Sequence, residues 1–282
     1  MNPLQQQEGQ FAGPRGISVF WQSWRSAAEP RGLVLLVHGL GEHSGRYDHV
    51  VQALVEDGFQ VYALDHIGHG RSGGEREIIE RFDDFLQPVQ TLRGMMTEAH
   101  PGLPLFVLGH SMGGLISTHH VLAHPEGLAG LVLSGPALRV NPNLSPVTIW
   151  IGRILSVLSP KTGVRKVAPE TVCRDPEVVK AYVADPLVFH GLTPARLAAE
   201  LLGAIRALSD RRPEIKLPLM AMQGLEDRLV DTSGAAWLIA GASSQDKTLH
   251  EYPGLFHEVF NEPEKAQVIG DLREWLRARL PS

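Results

Sequence analysis

A serine, an acid and a histidine that can work together are written into three separate loops of this chain. The serine is Ser111, in the run Gly109-His110-Ser111-Met112-Gly113. An apolar stretch, 105–108, leads into it and a helical pattern leads out. Glycine two residues before and two after is what a sharp strand–turn–helix elbow requires, because strand and helix nearly collide there. Such a turn lifts the hydroxyl clear of the sheet. A hydroxyl is a weak nucleophile on its own, so a general base and an orienting carboxylate are expected downstream. The competing reading, an incidental serine in a glycine turn, does not explain why the motif falls between a strand pattern and a helix pattern.

The acid is expected in a loop at the carboxyl end of a later strand. Gln223-Gly-Leu-Glu-Asp-Arg-Leu-Val230 follows an apolar run and offers Glu226, Asp227 and, one residue on, Asp231. Asp227 leads, because it sits at the loop tip before Leu229 and Val230 re-enter the core. As a plain turn residue it would need no partner. The histidine is expected after the next strand, and His257 in Tyr252-Pro-Gly-Leu-Phe-His-Glu258 fits. The chain has thirteen histidines, so most must be structural. His250 lies within a strand pattern, and His119 and His120 on the helix after Ser111. His66 and His69 lack a third ligand at metal-site spacing and read as loop braces, so neither metal nor organic cofactor is expected. An oxyanion needs two backbone N–H donors. Met112 follows the nucleophile, and Leu40 sits between Gly39 and Gly41 after the apolar run 32–38.

These loops must be carried by a framework, and the patterning supplies one. Strand-like runs at 17–24, 32–38, 59–65, 103–109, 128–134, 217–223 and 248–252 alternate with helical stripes. One stripe is Val50, Val51, Leu54 and Val55, ending at Gly58. Another is Phe82, Phe85, Leu86, Val89 and Leu92. The last runs from about 263 to 280. Continuous apolar runs suit strands buried on both faces, so the expectation is an α/β fold with a mostly parallel sheet flanked by helices. The alternation stops at 138–211, where no strand pattern appears. There Asn141-Pro-Asn and Pro146 open the segment, and Asp175-Pro-Glu and Thr193-Pro read as helix starts. A helical cap (lid), 138–211, is therefore expected within a core formed by 1–137 and 212–282.

Composition narrows the function. The 282 residues are 43% apolar and 20% charged, with a net charge of -5. No basic stripe points to nucleic acid. One cysteine, Cys173, excludes an intrachain disulfide. The first residues carry neither a basic nor an apolar signal region. No apolar run is long enough to span a bilayer. The expectation is a cytoplasmic protein, with peripheral membrane contact left open. That contact would run through the cap, whose Val147, Ile149, Trp150, Ile151, Ile154, Leu155, Val157 and Leu158 exceed what one buried face needs. The same residues would equally serve an acyl tunnel or cap-to-core packing.

Larger blocks carry a resemblance. His38-Gly-Leu-Gly-Glu-His-Ser-Gly-Arg-Tyr47, Asp65-His-Ile-Gly-His-Gly-Arg-Ser72, Gly109-His-Ser-Met-Gly-Gly114, Asp185-Pro-Leu and Ser244-Gln-Asp-Lys-Thr-Leu249 resemble the monoacylglycerol lipase family of serine hydrolases, over nearly the whole chain from about Phe20. The resemblance implies the α/β-hydrolase fold, Ser111, Asp227 and His257 as a triad, and Leu40 and Met112 as oxyanion donors. It implies that Glu42 and Arg46 lie beside the glycerol head group, with Tyr182 as a further substrate-binding residue. The i, i+4 spacing of Glu42 and Arg46 also allows a simple mutual pair. Where animal members carry a second histidine, this chain has Phe260, so weaker head-group selection is expected. The implied activity is hydrolysis of carboxylic esters, chiefly monoacylglycerols, a small-molecule lipid substrate, through an acyl-enzyme. A lysophospholipase or a general carboxylesterase is the alternative, and a non-catalytic binding protein of the same fold a remote one. Positive charge at a pocket mouth would favour a phosphate, and Arg139, Arg153, Lys161, Arg165 and Lys166 are the cap's candidates. Oligomeric state is not legible.

Overall fold

The computed structural model describes residues 4–140 and 145–280, and not the side chains of residues 146, 148 and 149. The expectations for Asn141-Pro-Asn and for the Ile149 side chain therefore lie outside the described residues. In chain order the strands are β1 (Gln5–Ala12), β2 (Ser18–Arg25), β3 (Gly32–Val37), β4 (Phe59–Leu64), β5 (Leu105–His110), β6 (Leu128–Ser134), β7 (Gly163–Arg165), β8 (Thr193–Pro194), β9 (Leu219–Gly224) and β10 (Lys247–Tyr252). The helices are α1 (Asp48–Glu56), α2 (Asp83–Ala99), α3 (Met112–Ala123), α4 (Pro146–Leu158), α5 (Pro176–Ala184), α6 (Ala195–Ala207), α7 (Ser233–Gly241) and α8 (Lys265–Arg277).

Eight strands form one sheet in the order β1-β2-β4-β3-β5-β6-β9-β10. β1 and β2 run antiparallel, and from β4 to β10 every pairing is parallel. This is the expected α/β-hydrolase architecture. The period of two along a strand splits β3 cleanly. Leu33, Leu35 and Val37 pack toward α2 and α3, and Val34 and Leu36 toward α1 and α8. All six residues of β3 are buried, which is why its sequence is continuously apolar. Each such side chain contributes about 1.5–3 kcal/mol on burial. α8 buries Val268, Ile269, Leu272, Trp275 and Leu276, the stripe read from the sequence.

One strand was not read from the sequence and one local expectation fails, each for an identifiable reason. β1, rich in Gln, has no apolar alternation to announce it, and it is held by its ladder to β2 from Gln5↔Arg25 to Ala12↔Ser18. Between β6 and β9 the chain is not purely helical, because β7 and β8 form a short antiparallel ladder. Thr193-Pro194 belongs to that ladder, so Thr193 does not cap a helix. α6 starts at Ala195 without a side-chain cap. Asp175 does cap α5, accepting from Glu177 N–H at 2.9 Å.

The segment inserted between β6 and β9 stands over the carboxyl end of the parallel strands. α6 joins the core through Leu197 and Ala204, packed with Leu115 and Ile116 of α3. α4 lies against α6 with an outer face of uncovered apolar side chains. Among the described residues no helix is long and apolar enough to cross a membrane.

Candidate active site

Ser111 sits between β5 and α3 at φ 54 and ψ -118, a conformation that costs on the order of 1–3 kcal/mol for a residue with a side chain. The surroundings impose it. Ser111 N–H donates to Ser134 O at 3.0 Å, and Ser111 O accepts from Ala137 N–H at 3.1 Å. Strand and helix are so close that a Cβ on Gly113 would lie 2.0 Å from Val37 O, and one on Gly109 2.5 Å from Gly113 O. The spacing rule read from the sequence is thus a rule about backbone contact.

The loops after β9 and β10 bring Asp227 and His257 together, with Asp227 Oδ2 2.7 Å from His257 Nδ1. Asp227 is fixed from its other side, where Oδ1 accepts from Leu229 N–H at 2.8 Å and Val230 N–H at 3.2 Å. Burial disfavours its charge, yet the His257 ring and these N–H donors hold its carboxyl below the usual range. Burial likewise works against an imidazolium at His257. The Asp227 charge and hydrogen bond, with Glu258 and Glu42 nearby, outweigh it and raise the imidazole above its ordinary 6.5. The other two acids do not compete. Asp231 accepts from Ser233, and Glu226 is tied by its backbone N–H to Leu255 O.

A raised imidazole fixes the sign of the pH dependence. A base must be neutral to take a proton from Ser111. We therefore expect kcat/KM to rise with pH through a midpoint above 6.5, the free-enzyme value for this group. A pH–rate profile on a soluble ester checks this, and a midpoint below 6.5 would contradict the assignment.

Leu40 and Met112 stand on the same cavity wall as Ser111 and His257. Met112 opens α3, where the first amides have no carbonyl partner within the helix. The Leu40 loop presses directly on Ser111: a Cβ on Gly39 would lie 3.2 Å from Ser111 Cβ. Glu42 fixes this loop by accepting from Gly39 N–H at 2.6 Å and from Tyr47 O–H at 2.6 Å.

Glu42 and Arg46 do pair, but within a larger group. Arg46 Nη1 donates to Glu42 Oε2 at 2.7 Å and to Glu258 Oε1 at 2.7 Å, and Nη2 donates to Glu258 Oε2 at 2.8 Å. The guanidinium also lies 4.8 Å from the Tyr182 ring centre. Glu42, Tyr182 and Glu258 line the cavity, with Arg46 set behind them. Burial opposes the Arg46 charge, but its two carboxylates hold it well above its ordinary value. Sequence reading missed Glu258. Its position directly after His257 was the one available signal. Phe260 is buried among Val268 and Leu272, away from the cavity wall.

The cavity holds about 550 Å³, with walls that are mainly apolar beyond these residues. Leu115, Ile151, Leu155, Leu201, Leu202 and Ile205 line it. Arg139, Arg153, Arg165 and Arg206 line its outer part, whereas Lys161 pairs with Glu75. Among the described residues no group of three His, Cys, Asp or Glu side chains is placed to hold a metal ion. His66 and His69 pack around His38: His66 backbone N–H donates to His38 Nε2 at 2.9 Å, and burial first, then the neighbouring rings, pushes His38 well down. His119 faces Ala204 O, and burial pushes His120 down to about 3. His250 lies on β10, 3.6 Å from Asp271.

With this geometry in place, kinship is readable. Residues 28–264 match a family model described as serine aminopeptidase, S33. The chain is 42% identical over 273 residues to a monoacylglycerol lipase of Mycolicibacterium smegmatis, covering 97% of this chain and 98% of the relative. It is 33% identical over 267 residues to a monoglyceride lipase of Homo sapiens, covering 94% and 88%. The crystal structure of a Paleococcus ferrophilus monoacylglycerol lipase superposes with a TM-score of 0.82 at 28% identity, over 98% of this chain and 99% of that one. A strained nucleophile elbow on a parallel sheet, and relatives that match almost end to end, lead to one conclusion: the chain belongs to the monoacylglycerol lipase family of α/β-hydrolase-fold ester hydrolases.

Proposed function

We propose that this protein hydrolyses monoacylglycerols to fatty acid and glycerol with Ser111, Asp227 and His257 as its triad. The observation that carries the reading is a 2.7 Å Asp227–His257 pair whose histidine lines, together with Ser111, a mainly apolar cavity. His257 takes the Ser111 proton as Oγ attacks the ester carbonyl. The N–H groups of Leu40 and Met112 receive the developing oxyanion. His257 then protonates the departing alcohol, and water repeats the sequence on the acyl-enzyme. Asp227 keeps the imidazole in the required tautomer and stabilises the imidazolium. Residues 138–211 act as a cap over the core of 1–137 and 212–282, and the aliphatic walls beyond Ser111 hold the acyl chain. The test is a panel of esters of one fatty acid: monoacylglycerol, methyl ester, lysophospholipid and diacylglycerol. The monoacylglycerol is expected to give the highest kcat/KM, and a preference for the methyl ester would overturn the head-group reading.

A lysophospholipase is the second reading, favoured by the guanidiniums of Arg139, Arg153, Arg165 and Arg206 around the outer cavity. Against it stand Glu42 and Glu258 close to the reacting centre, where a phosphate would meet carboxylates.

The exposed side of α4 fits transient contact with a lipid surface. Val147, Trp150, Val157 and Leu158 are each more than 60% exposed, an apolar patch with no cover. Trp150→Ala is expected to weaken liposome binding several-fold and to slow hydrolysis of aggregated long-chain substrate, with little change on a soluble short-chain ester. Equal losses on both substrates, with unchanged liposome binding in a flotation assay, would assign Trp150 to packing.

A further inference from the structure

A carboxyl that takes no part in the chemistry above is buried where the Leu40 loop meets the cap. Glu77, in the loop after β4, is 2% exposed and holds φ 55, a left-handed backbone that is costly for a residue with a side chain. Its Oε2 has no hydrogen-bond partner among the described residues. Its Oε1 packs against the Gly41 turn: a Cβ on Gly41 would lie 3.3 Å from that oxygen and 3.3 Å from Phe189 O. Gly41 O accepts from Phe189 N–H at 2.8 Å, so the turn that follows Leu40 is held between Glu77 and the cap. Thr193 of the cap, on the cavity wall, supplies the one hydroxyl that favours a Glu77 charge. Among the described residues no cation offsets that charge. In the loop of Glu77 itself, Arg76 Nη1 donates to Gly70 O and Glu75 pairs with Lys161. In the Leu40 loop, Glu42 is bound to Arg46, and His43 Nε2 lies 2.8 Å from Asp185 Oδ2 of the cap. From the cap, the Tyr182 phenol lies within reach of the Glu77 charge, and the His190 ring centre is 5.4 Å from that of Tyr182. Burial therefore outweighs Thr193 and pushes the Glu77 carboxyl up to about 7.

We propose that Glu77 is a positioning residue for the oxyanion donor Leu40: as an uncharged acid it fills the junction between the Leu40 loop and the cap, and as a carboxylate it opens that junction and displaces the Leu40 N–H. The proposal rests on the ester-hydrolase reading, with Leu40 N–H as a donor, and adds to it a residue that touches no substrate. A neutral carboxyl packs against Gly41 at little cost. A carboxylate in the same place is desolvated without a counter-charge, and it gains water only if the Phe189–Gly41 contact loosens. It also sets a negative charge against the residue that follows an oxyanion donor, where it opposes the charge that develops in the transition state. Both effects act in one direction. The activity that His257 gains as pH rises is cut back once Glu77 ionises.

The experiment measures kcat/KM against pH for wild type and Glu77→Gln on monobutyrin, a monoacylglycerol that stays dissolved, so lipid-surface effects do not enter. Glutamine keeps the shape and never ionises. The ratio of variant to wild type cancels the His257 limb and isolates position 77. We expect that ratio to rise several-fold as pH passes through about 7 and to level off above it. Thermal melts give a second readout that needs no turnover. A carboxyl raised above its ordinary 4.5 adds stability at low pH and loses it as pH rises through its folded value. Wild type should therefore lose Tm relative to Glu77→Gln as pH climbs to about 7. Thr193→Val removes the one group that favours the charge and should move the inhibitory limb to higher pH, and it decides the matter if Glu77→Gln does not fold. A ratio that ignores pH, or a limb that Thr193→Val leaves in place, would overturn the role of Glu77 and leave ester hydrolysis standing. A pH-dependent Tm difference without any change in the activity ratio would make Glu77 a packing residue and end its positioning role. No turnover of monobutyrin at any pH would overturn the ester reading and the proposal with it.

Discussion

Replacing Ser111 by alanine should abolish covalent labelling by a fluorophosphonate and lower kcat by roughly 10⁴–10⁶, as loss of a triad nucleophile does in unrelated serine hydrolases. The fold should survive, because alanine keeps the Cβ that the elbow at φ 54 already accommodates. Asp227→Asn is the companion change. It keeps the shape but replaces an acceptor facing His257 Nδ1 at 2.7 Å with a group able to present N–H instead. The imidazole would then lose its oriented tautomer, and kcat should fall by about 10⁴. The attraction that raises His257 would vanish as well, so the acid limb of residual activity should move to lower pH. Asp231→Asn provides the control, since Asp231 accepts from Ser233 and makes no bond to His257. Active-site titration and a pH–rate profile of the three variants decide the matter. Full labelling of Ser111→Ala, or a benign Asp227→Asn beside a damaging Asp231→Asn, would sink the assignment.

What could be read from the sequence was local or periodic. The elbow is a contact between neighbours in the chain, so Gly109 and Gly113 announce it. β3 and β5 are buried on both faces, so their apolar runs announce them. Asp227 and His257 follow from the order of strands and loops. The unread parts depend on distant residues or on weak patterns. Arg46 and Glu258 meet across 212 positions, and neither residue's neighbours suggest it. The i, i+4 rule found the Glu42 half of the group and stopped there. β1 is held by backbone pairing rather than by side-chain burial, and a Gln-rich stretch has no period to detect. Thr193-Pro194 carried a helix-start signal, and tertiary pairing with Gly163 and Arg165 overrode it. The arginines that line the cavity were visible as residues, but only α4 and α6 lying side by side brings Arg153 and Arg206 to the same cavity.

Arg46→Leu is expected to be the most damaging single change outside Ser111, Asp227 and His257. The guanidinium separates two nearly buried carboxylates, Glu42 at 4% exposure and Glu258 at 6%. Removing it leaves both uncompensated, and breaking a buried ion pair from one side costs about 3–5 kcal/mol. A loss of that size should lower Tm by on the order of 10 °C in a chain of this length. Burial disfavours the Glu42 charge and the guanidinium opposes that effect, so without Arg46 the Glu42 carboxyl would bind a proton more tightly in the folded variant than in its unfolded chain. Groups raised in this way contribute stability at low pH and lose it as pH rises, so the Tm deficit should be largest at alkaline pH and shrink on acidification. Activity should fall on every ester in parallel, because Glu42 positions the Leu40 loop through Gly39 N–H, and Glu258 follows His257 directly. Arg46→Lys should recover only part of this, since an ammonium cannot hold three carboxylate oxygens in the forked geometry seen here. Thermal melts from acid to alkaline pH, with kcat/KM on a monoacylglycerol and on the matching methyl ester, separate the cases. A variant with unchanged Tm that loses activity on the monoacylglycerol alone would place Arg46 in contact with the head group, in front of the two carboxylates instead of between them.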